Sequence, residues 1–423
     1  MRLYQRSFKK LLNKLISSKF RHLLLKVIGL NNYITLILKS VKIKGNLNAR
    51  QNILCVEKGL FEKDVDELSY RVRQYGWIWL SKRQLTVYQD KIIPKKYRGQ
   101  RKYIQHIDKI PDEWAECIRR SKVLIKRLKD EKNVCAIFLA NLDYWTDYSL
   151  QAACKELKIP VIVLQKEFPY NDLNYFERFK KHYVMDYTPL ADAIMVFGQR
   201  MKNVLSELKS FDQNRIFVTG APRIDRWRSL ELSGGIKKGL LMISFNDEER
   251  TLKTFCKMVF FISNYFKNEK LGKITIKAKN KPQSIELIQY CKKKNIDNVV
   301  VVHSANIYDL VLQTKAIVGL NSLATIESML SKAPIIIPNW IIKDINNKVF
   351  NKDNEICYKS LEFAENIENL VKIIAKHLRN NNTEVSDETV KARKKFLSEF
   401  WEYNPMVTSC GNVKKIIESL VRN

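Results

Sequence analysis

The strongest constraint on this chain is the alternation of short, unbroken apolar runs with helical patterns. Residues 134–140 (VCAIFLA) form one such run. A helical pattern follows at 148–157, then a second run at 160–164. A run that is apolar at every position fits a strand covered on both faces. Strand, helix, strand at this length is a βαβ unit, with parallel pairing and a right-handed crossover. The pattern repeats with strands at 193–197 and 215–219 around a helix at 199–208. A stretch with paired glycines and no periodicity, 230–238, reads as a linker. Beyond it a second series begins. Strands are expected at 240–245, 274–277, 298–302, 316–318 and 334–338. Helices are expected at 249–268, 282–293, 307–313 and 322–330, with Pro282 in the first turn of its helix.

Two such blocks imply two α/β domains. The expected division is a basic arm at 1–50, a first domain at 51–228, a second at 239–390, and helices at 391–423 that cross back to the first. The fold class expected is therefore α/β, with two Rossmann-like domains facing a cleft. Ligands of doubly wound sheets bind outside the carboxyl ends of the strands, so chemistry is sought just past strand ends.

The amino-terminal arm is set apart by charge. From Met1 to Val56 there is no acidic residue; Glu57 is the first. Arg2, Arg6, Lys9, Lys10, Lys14, Lys19, Arg21 and Lys26 lie among apolar residues spaced by threes and fours, from Tyr4 and Phe8 to Leu24 and Val27. That spacing gives a helix with an apolar stripe and a cationic face. Such a helix can lie in the headgroup plane of an anionic membrane, or pack on the protein's own core. The formal charge of the whole chain is +31, which favours anionic partners. The apolar stretch at 23–38 is broken by Lys26, Asn31 and Asn32, so no spanning helix is expected. The location expected is cytoplasmic, peripheral on the inner face of the cytoplasmic membrane. The eight cysteines include no Cys-x-x-Cys pair and no zinc pattern, which fits a reducing compartment and excludes a disulfide scaffold.

Gly319, Leu320, Asn321 and Ser322 end one strand and open a helix that carries Glu327. Gly319 permits close approach, amides at a helix start attract phosphate, Ser322 offers a hydroxyl, and Glu327 offers an acceptor for ribose hydroxyls. Taken singly, Ser322 is also a simple helix cap and Glu327 a solvated carboxylate. In the first half, Asn141 and Asp143 follow one strand end, and Gln165 and Glu167 follow another. Glu167, Asp143 and Asp147 are the candidate general bases. The pair Asp64 and Asp66 has Asp-x-Asp spacing but lies in a helical pattern, so it is read as incidental.

The segment 316–338 (AIVGLNSLATIESMLSKAPIIIP) resembles the donor-site signature of GT-B glycosyltransferases of bacterial capsule and lipopolysaccharide synthesis. The segment 218–225 (VTGAPRID) is similar to the one that ends the first domain in those enzymes. The resemblance implies a transferase that moves a sugar from a UDP- or CMP-linked donor to a growing or lipid-linked surface glycan, with no cofactor and no essential metal. It implies that Gly319, Asn321, Ser322 and Glu327 bind the donor, that Lys277 and Lys279 neutralise its phosphate, and that His303 faces the nucleotide. Gly220 and Arg223 would line the cleft with Asn141 and Gln165. Relatives that use cytidine-linked sugars carry a His-Pro pair where this chain has Lys277 to Asn280, which speaks against a sialyltransferase type. The same fold also admits a sugar-nucleotide 2-epimerase or a polyol-phosphate transferase. A basic nucleic-acid-binding protein is the non-enzymatic alternative. The charge is dispersed and carries no RNP-like or helix-turn-helix signature, so no nucleic acid partner is expected.

Overall fold

The computed structural model describes residues 21–59, 61–98, 104–142, 145–165, 189–232, 239–244, 249–342, 349–380, 384–398, 401 and 407–422. These form two compact units.

Unit 1 runs to Asp225 and takes up the chain again at Asn404. Its elements in order are α1 (Arg21–Ser40), β1 (Lys42–Gly45), β2 (Gln51–Val56), α2 (Phe61–Arg71), β3 (Tyr75–Leu80), α3 (Lys82–Ile92), α4 (Pro111–Lys132), β4 (Val134–Leu139), α5 (Trp145–Glu156), β5 (Val161–Leu164), β6 (Ala193–Val196), α6 (Gln199–Ser206) and β7 (Ile216–Val218). The sheet is 7-stranded, in the order β1-β3-β2-β4-β5-β6-β7. Only β1 is antiparallel; it pairs with β3, Lys42 opposite Trp79. The six parallel strands, numbered among themselves, run 2-1-3-4-5-6, a flavodoxin-like order whose reversal falls between β2 and β4. The core is aromatic at its centre. Phe61 stacks on Phe138 at 5.5 Å, and Trp77 meets Phe138 edge-on at 5.8 Å.

The main span of unit 2 is Arg226–Tyr403. It holds β8 (Leu240–Ile243), α7 (Glu249–Asn268), β9 (Ile274–Lys277), α8 (Lys281–Lys293), β10 (Val299–Val302), α9 (Ile307–Leu312), β11 (Ala316–Gly319), α10 (Leu323–Ser328), β12 (Ile335–Pro338), α11 (Asn339–Ile342), α12 (Glu355–Ser360), β13 (Glu362–Ala364), α13 (Ile367–Arg379) and α14 (Asp387–Ser398). Its 6-stranded sheet, β10-β9-β8-β11-β12-β13, is parallel throughout. Renumbered, that is 3-2-1-4-5-6, the Rossmann order, with its reversal between β8 and β11. The last helix, α15 (Ser409–Val421), belongs to unit 1 and packs on α2 and β4.

Three boundaries differ from expectation. The arm does not extend as helix to residue 50, because β1 already pairs into the sheet of unit 1. The division between units falls at Asp225 and Arg226, inside the 3-10 helix Pro222–Leu232, rather than in the glycine-containing stretch; residues 233–238 lie outside the described residues. The cause is side-chain anchoring on either side of the division. Asp225 accepts the amides of Ser409 and Cys410 at 2.9 and 2.8 Å, a carboxylate set on the amino end of α15. Within unit 2, Trp227 packs edge-on against Tyr308 at 5.4 Å. Third, of the two C-terminal helices α14 stays in unit 2. Its buried Arg393 donates to the carbonyls of Ser360, Ser331 and Ala333 at 2.9, 2.7 and 3.0 Å.

The helix α1 is broken at Gly29, whose φ of 73° is left-handed. By length and composition Leu23–Ser40 could cross a membrane. Beyond Gly29, however, Tyr33, Ile34 and Ile37 are fully buried in unit 1, where the helix packs on α3 and α4. Residues 1–20, the most basic part of the arm, lie outside the described residues.

Candidate active site

In unit 2 the parallel register sets Val302, Lys277, Ile243 and Gly319 on one rung across β10, β9, β8 and β11. The residues that follow each of them therefore emerge together at the carboxyl edge. Gly319 and the turn after it stand beside Ser244, at the reversal of strand order.

Local chemistry builds this edge. Ser244 Oγ donates to Gln283 Oε1 at 2.5 Å, and the same oxygen accepts the amide of Lys279 at 2.8 Å. Asn280 caps α8, accepting the amide of Gln283 at 2.9 Å. The loop that presents Lys279 is thus held by three side chains, while Lys279 itself is exposed. Lys277 behaves differently. Its Nζ donates to the carbonyls of His303 and Ala278 at 2.5 and 3.0 Å, so it ties two strand ends together. His303 is exposed at the end of β10, with Nδ1 3.4 Å from Ser284 Oγ.

The turn after β11 is more structural than its sequence suggests. Ser322 is the N-cap of α10 and accepts the amide of Thr325 at 3.2 Å, so the cap itself occupies one of the amides expected to face an anion. Thr325 Oγ1 donates back to Leu320 O at 2.7 Å. Gly319 is required by packing. A Cβ there would meet the Thr325 side chain at 2.3 Å. Asn321 is buried, and its Oδ1 accepts the amide of Val349 at 2.7 Å. Glu327 lies in the last turn of α10 and is also buried.

In unit 1, a second polar cluster sits at the other reversal, between β2 and β4. Asp147 opens α5 and is buried. It accepts from Thr146 Oγ1 at 2.9 Å and from Asn141 Nδ2 at 3.2 Å, and Lys58 Nζ lies 3.7 Å away. Gln151 donates to Leu142 O at 2.8 Å and braces the same loop. Asn141 and Asp147 are thus brought together, while Asp143 and Glu167 lie outside the described residues. Lys58 was not singled out from sequence. The available signal was its place two residues beyond an apolar run, in the first strand-to-helix loop.

The remaining first-half residues have load-carrying partners. Gln165 Oε1 accepts the amide of Phe197 at 2.9 Å and locks β5 to β6. Gly220 has a φ of 76°. Arg223 is buried over the Phe197 ring and pairs with Asp64, not with Asp225. Asp66, the other member of the Asp-x-Asp pair, bonds Lys44 at 2.6 Å. Both carboxylates are therefore engaged in ion pairs. Among the described residues no group of three His, Cys, Asp or Glu could hold a metal ion.

No protein-family model matches the sequence, and a search of curated proteins finds no match. Solved structures are similar. A protein of Listeria monocytogenes described as a UDP-N-acetylglucosamine 2-epimerase shares 14% identity over 88% of this chain and 96% of its own, with a TM-score of 0.51. S. aureus MnaA, solved with UDP, shares 12% over 88% and 96%, at 0.49. A glycosyltransferase from Rickettsia africae shares 12% over 89% and 100%, at 0.48. The first likeness is one of fold, and it agrees with the strand orders read above. The chain has the GT-B fold, two Rossmann-like domains each built on a largely parallel sheet.

Proposed function

We propose that the protein is a glycosyltransferase that takes its sugar from a nucleotide-sugar bound at the carboxyl edge of the unit 2 sheet. The observation that carries this reading is the shared rung of Val302, Lys277, Ile243 and Gly319. It sets Ser244 and the turn to Ser322 on either side of the reversal of a Rossmann-order sheet, where ligands of such sheets bind, with Lys279 and His303 following along the same edge. Lys279 is the exposed cation on a braced loop, suited to a diphosphate. Ser322 and His303 supply further polar contacts, and Glu327 stands one turn beyond the cap. A solved protein of this fold is described as acting on UDP-N-acetylglucosamine, which makes UDP-sugars the first donors to test.

In the reaction, the bond between the anomeric carbon and the phosphate oxygen breaks, and its electron pair leaves with the nucleoside diphosphate. The acceptor hydroxyl forms the new bond and gives up its proton. That proton passes to a general base. Lys279 meets charge that grows on the leaving phosphate, and loss of one such contact costs about 10²–10³ in turnover. The acceptor proposed is a growing or lipid-linked surface glycan, in keeping with the +31 charge of the chain.

Thermal-shift and calorimetric titration with UDP, CMP and UDP-sugars test the reading. A nucleoside diphosphate should stabilise the protein, and Lys279→Ala should weaken that effect. No response to any nucleotide or nucleotide-sugar would overturn the proposal. Conversion of UDP-N-acetylglucosamine to its C2 epimer without any acceptor would replace the transferase by an epimerase.

A further inference from the structure

We infer that the first half of α1 is a docking face for an anionic lipid bilayer, held at a fixed place on unit 1 by the buried second half of the same helix. This inference does not rest on the proposed function.

The two halves differ sharply. Beyond Gly29, Tyr33, Ile34 and Ile37 are fully buried, and Arg127 of α4 donates to Thr35 Oγ1 at 2.8 Å and to Asn31 O at 3.1 Å. That half is fastened. Before Gly29, Leu23 and Val27 are 60% and 73% exposed, while Leu25 between them is buried. Residues four apart share one helix face, so the two large apolar side chains present a single outward stripe. Lys26, also exposed, flanks it.

Charge identifies the occupant. The first 56 residues hold twelve Lys and Arg and no carboxylate. An apolar stripe beside the exposed Lys26, in a stretch of sequence that carries cations and no carboxylate, complements a surface that is anionic at its face and apolar beneath, which is a bilayer containing acidic lipid. A spanning helix is disfavoured by the same geometry. Crossing would draw Tyr33, Ile34 and Ile37 out of the core and carry the break at Gly29 into hydrocarbon, where backbone groups must be satisfied within the helix.

The test uses the full chain and two vesicle preparations, one of pure phosphatidylcholine and one of equal parts phosphatidylcholine and phosphatidylglycerol. The protein should co-sediment with the anionic vesicles, release at high salt, and stay in solution with the neutral ones. The double variant Leu23→Asp with Val27→Asp should bind anionic vesicles at least about tenfold more weakly. Its melting temperature and its response to UDP should match those of the unaltered protein. The inference fails if the double variant binds as the unaltered chain does, if neutral vesicles bind equally well, or if no vesicle binds. It also fails if the protein resists alkaline carbonate extraction, as a spanning helix would. Melting of the double variant at a lower temperature would place Leu23 and Val27 in the core and would equally end it.

Discussion

Arg223 and Asp64, 159 positions apart in the chain, form a buried ion pair in which Nη1 lies 2.5 Å from Oδ2 and the backbone amide of Arg223 donates to Oδ1 at 3.0 Å. The pair closes the segment after β7 onto α2, and the guanidinium also lies over the ring of Phe197 at 5.0 Å. Removing one partner leaves the other charge buried and uncompensated, which costs about 3–5 kcal/mol. Asp64→Ala should therefore lower the free energy of unfolding of unit 1, read from urea titration, by that amount. The double variant Asp64→Leu with Arg223→Met should recover part of the loss: two apolar groups leave no orphaned charge, although the Arg223 amide loses its acceptor, which costs about 1–3 kcal/mol. A double variant no better than Asp64→Ala would show that the uncompensated charge is not the cause of the loss.

Gly319→Ala should destabilise unit 2 by about 1–3 kcal/mol, because the added methyl meets the Thr325 side chain at 2.3 Å. Thr325→Ala removes that obstacle but also the hydroxyl that bonds Leu320 O, a loss of about 1 kcal/mol. A double-mutant cycle should show favourable coupling between the two substitutions. Additive losses would mean that the glycine serves some need other than close contact with α10.

Acid sensitivity has an identifiable contributor in α4. Hydrogen bonds from Arg119 and Arg120 hold the Glu116 carboxyl down to about 2, against an ordinary value of 4.5. A carboxylate depressed in the folded state stabilises above its unfolded value, and that stabilisation disappears as pH falls through the folded value. The group lies on the helix surface, so the contribution is at most about 1 kcal/mol. The stability difference between the unaltered protein and Glu116→Gln should thus shrink steadily from about pH 5 to about pH 2. A difference independent of pH would remove Glu116 as the cause.

All eight cysteines are free, and all but Cys135 are buried. Burial pushes Cys117 up to about 12 and Cys135 to about 11, far from the range in which a thiolate forms at neutral pH. A thiol reagent should modify the folded protein slowly and titrate all eight groups in denaturant. Rapid labelling of one group in the folded state would identify a thiol that the fold leaves reactive.

The two series of strands and helices between 134 and 338 could be read in advance because a parallel strand is covered on both faces. Its residues are then apolar one after another, a property local to the segment. Helix caps are equally local, as Ser322 and Asn280 illustrate. The first three strands went unplaced, although Tyr75–Leu80 is wholly buried, because its aromatic run stands outside the series and β1 lies inside a stretch dominated by charge. Which strands lie side by side was a matter for the folded molecule. The rung that joins Lys277, Ile243 and Gly319 depends on where each crossover helix packs, and no segment of the chain carries that information alone. The same is true of partners for charge. Arg223 pairs with Asp64, 159 positions away, and Asp225, two residues on, takes the start of α15, because burial selects whichever opposite dipole or charge the packing brings within reach. Periodicity is written along the chain, whereas desolvated polar groups take partners that come close in space after remote elements have docked.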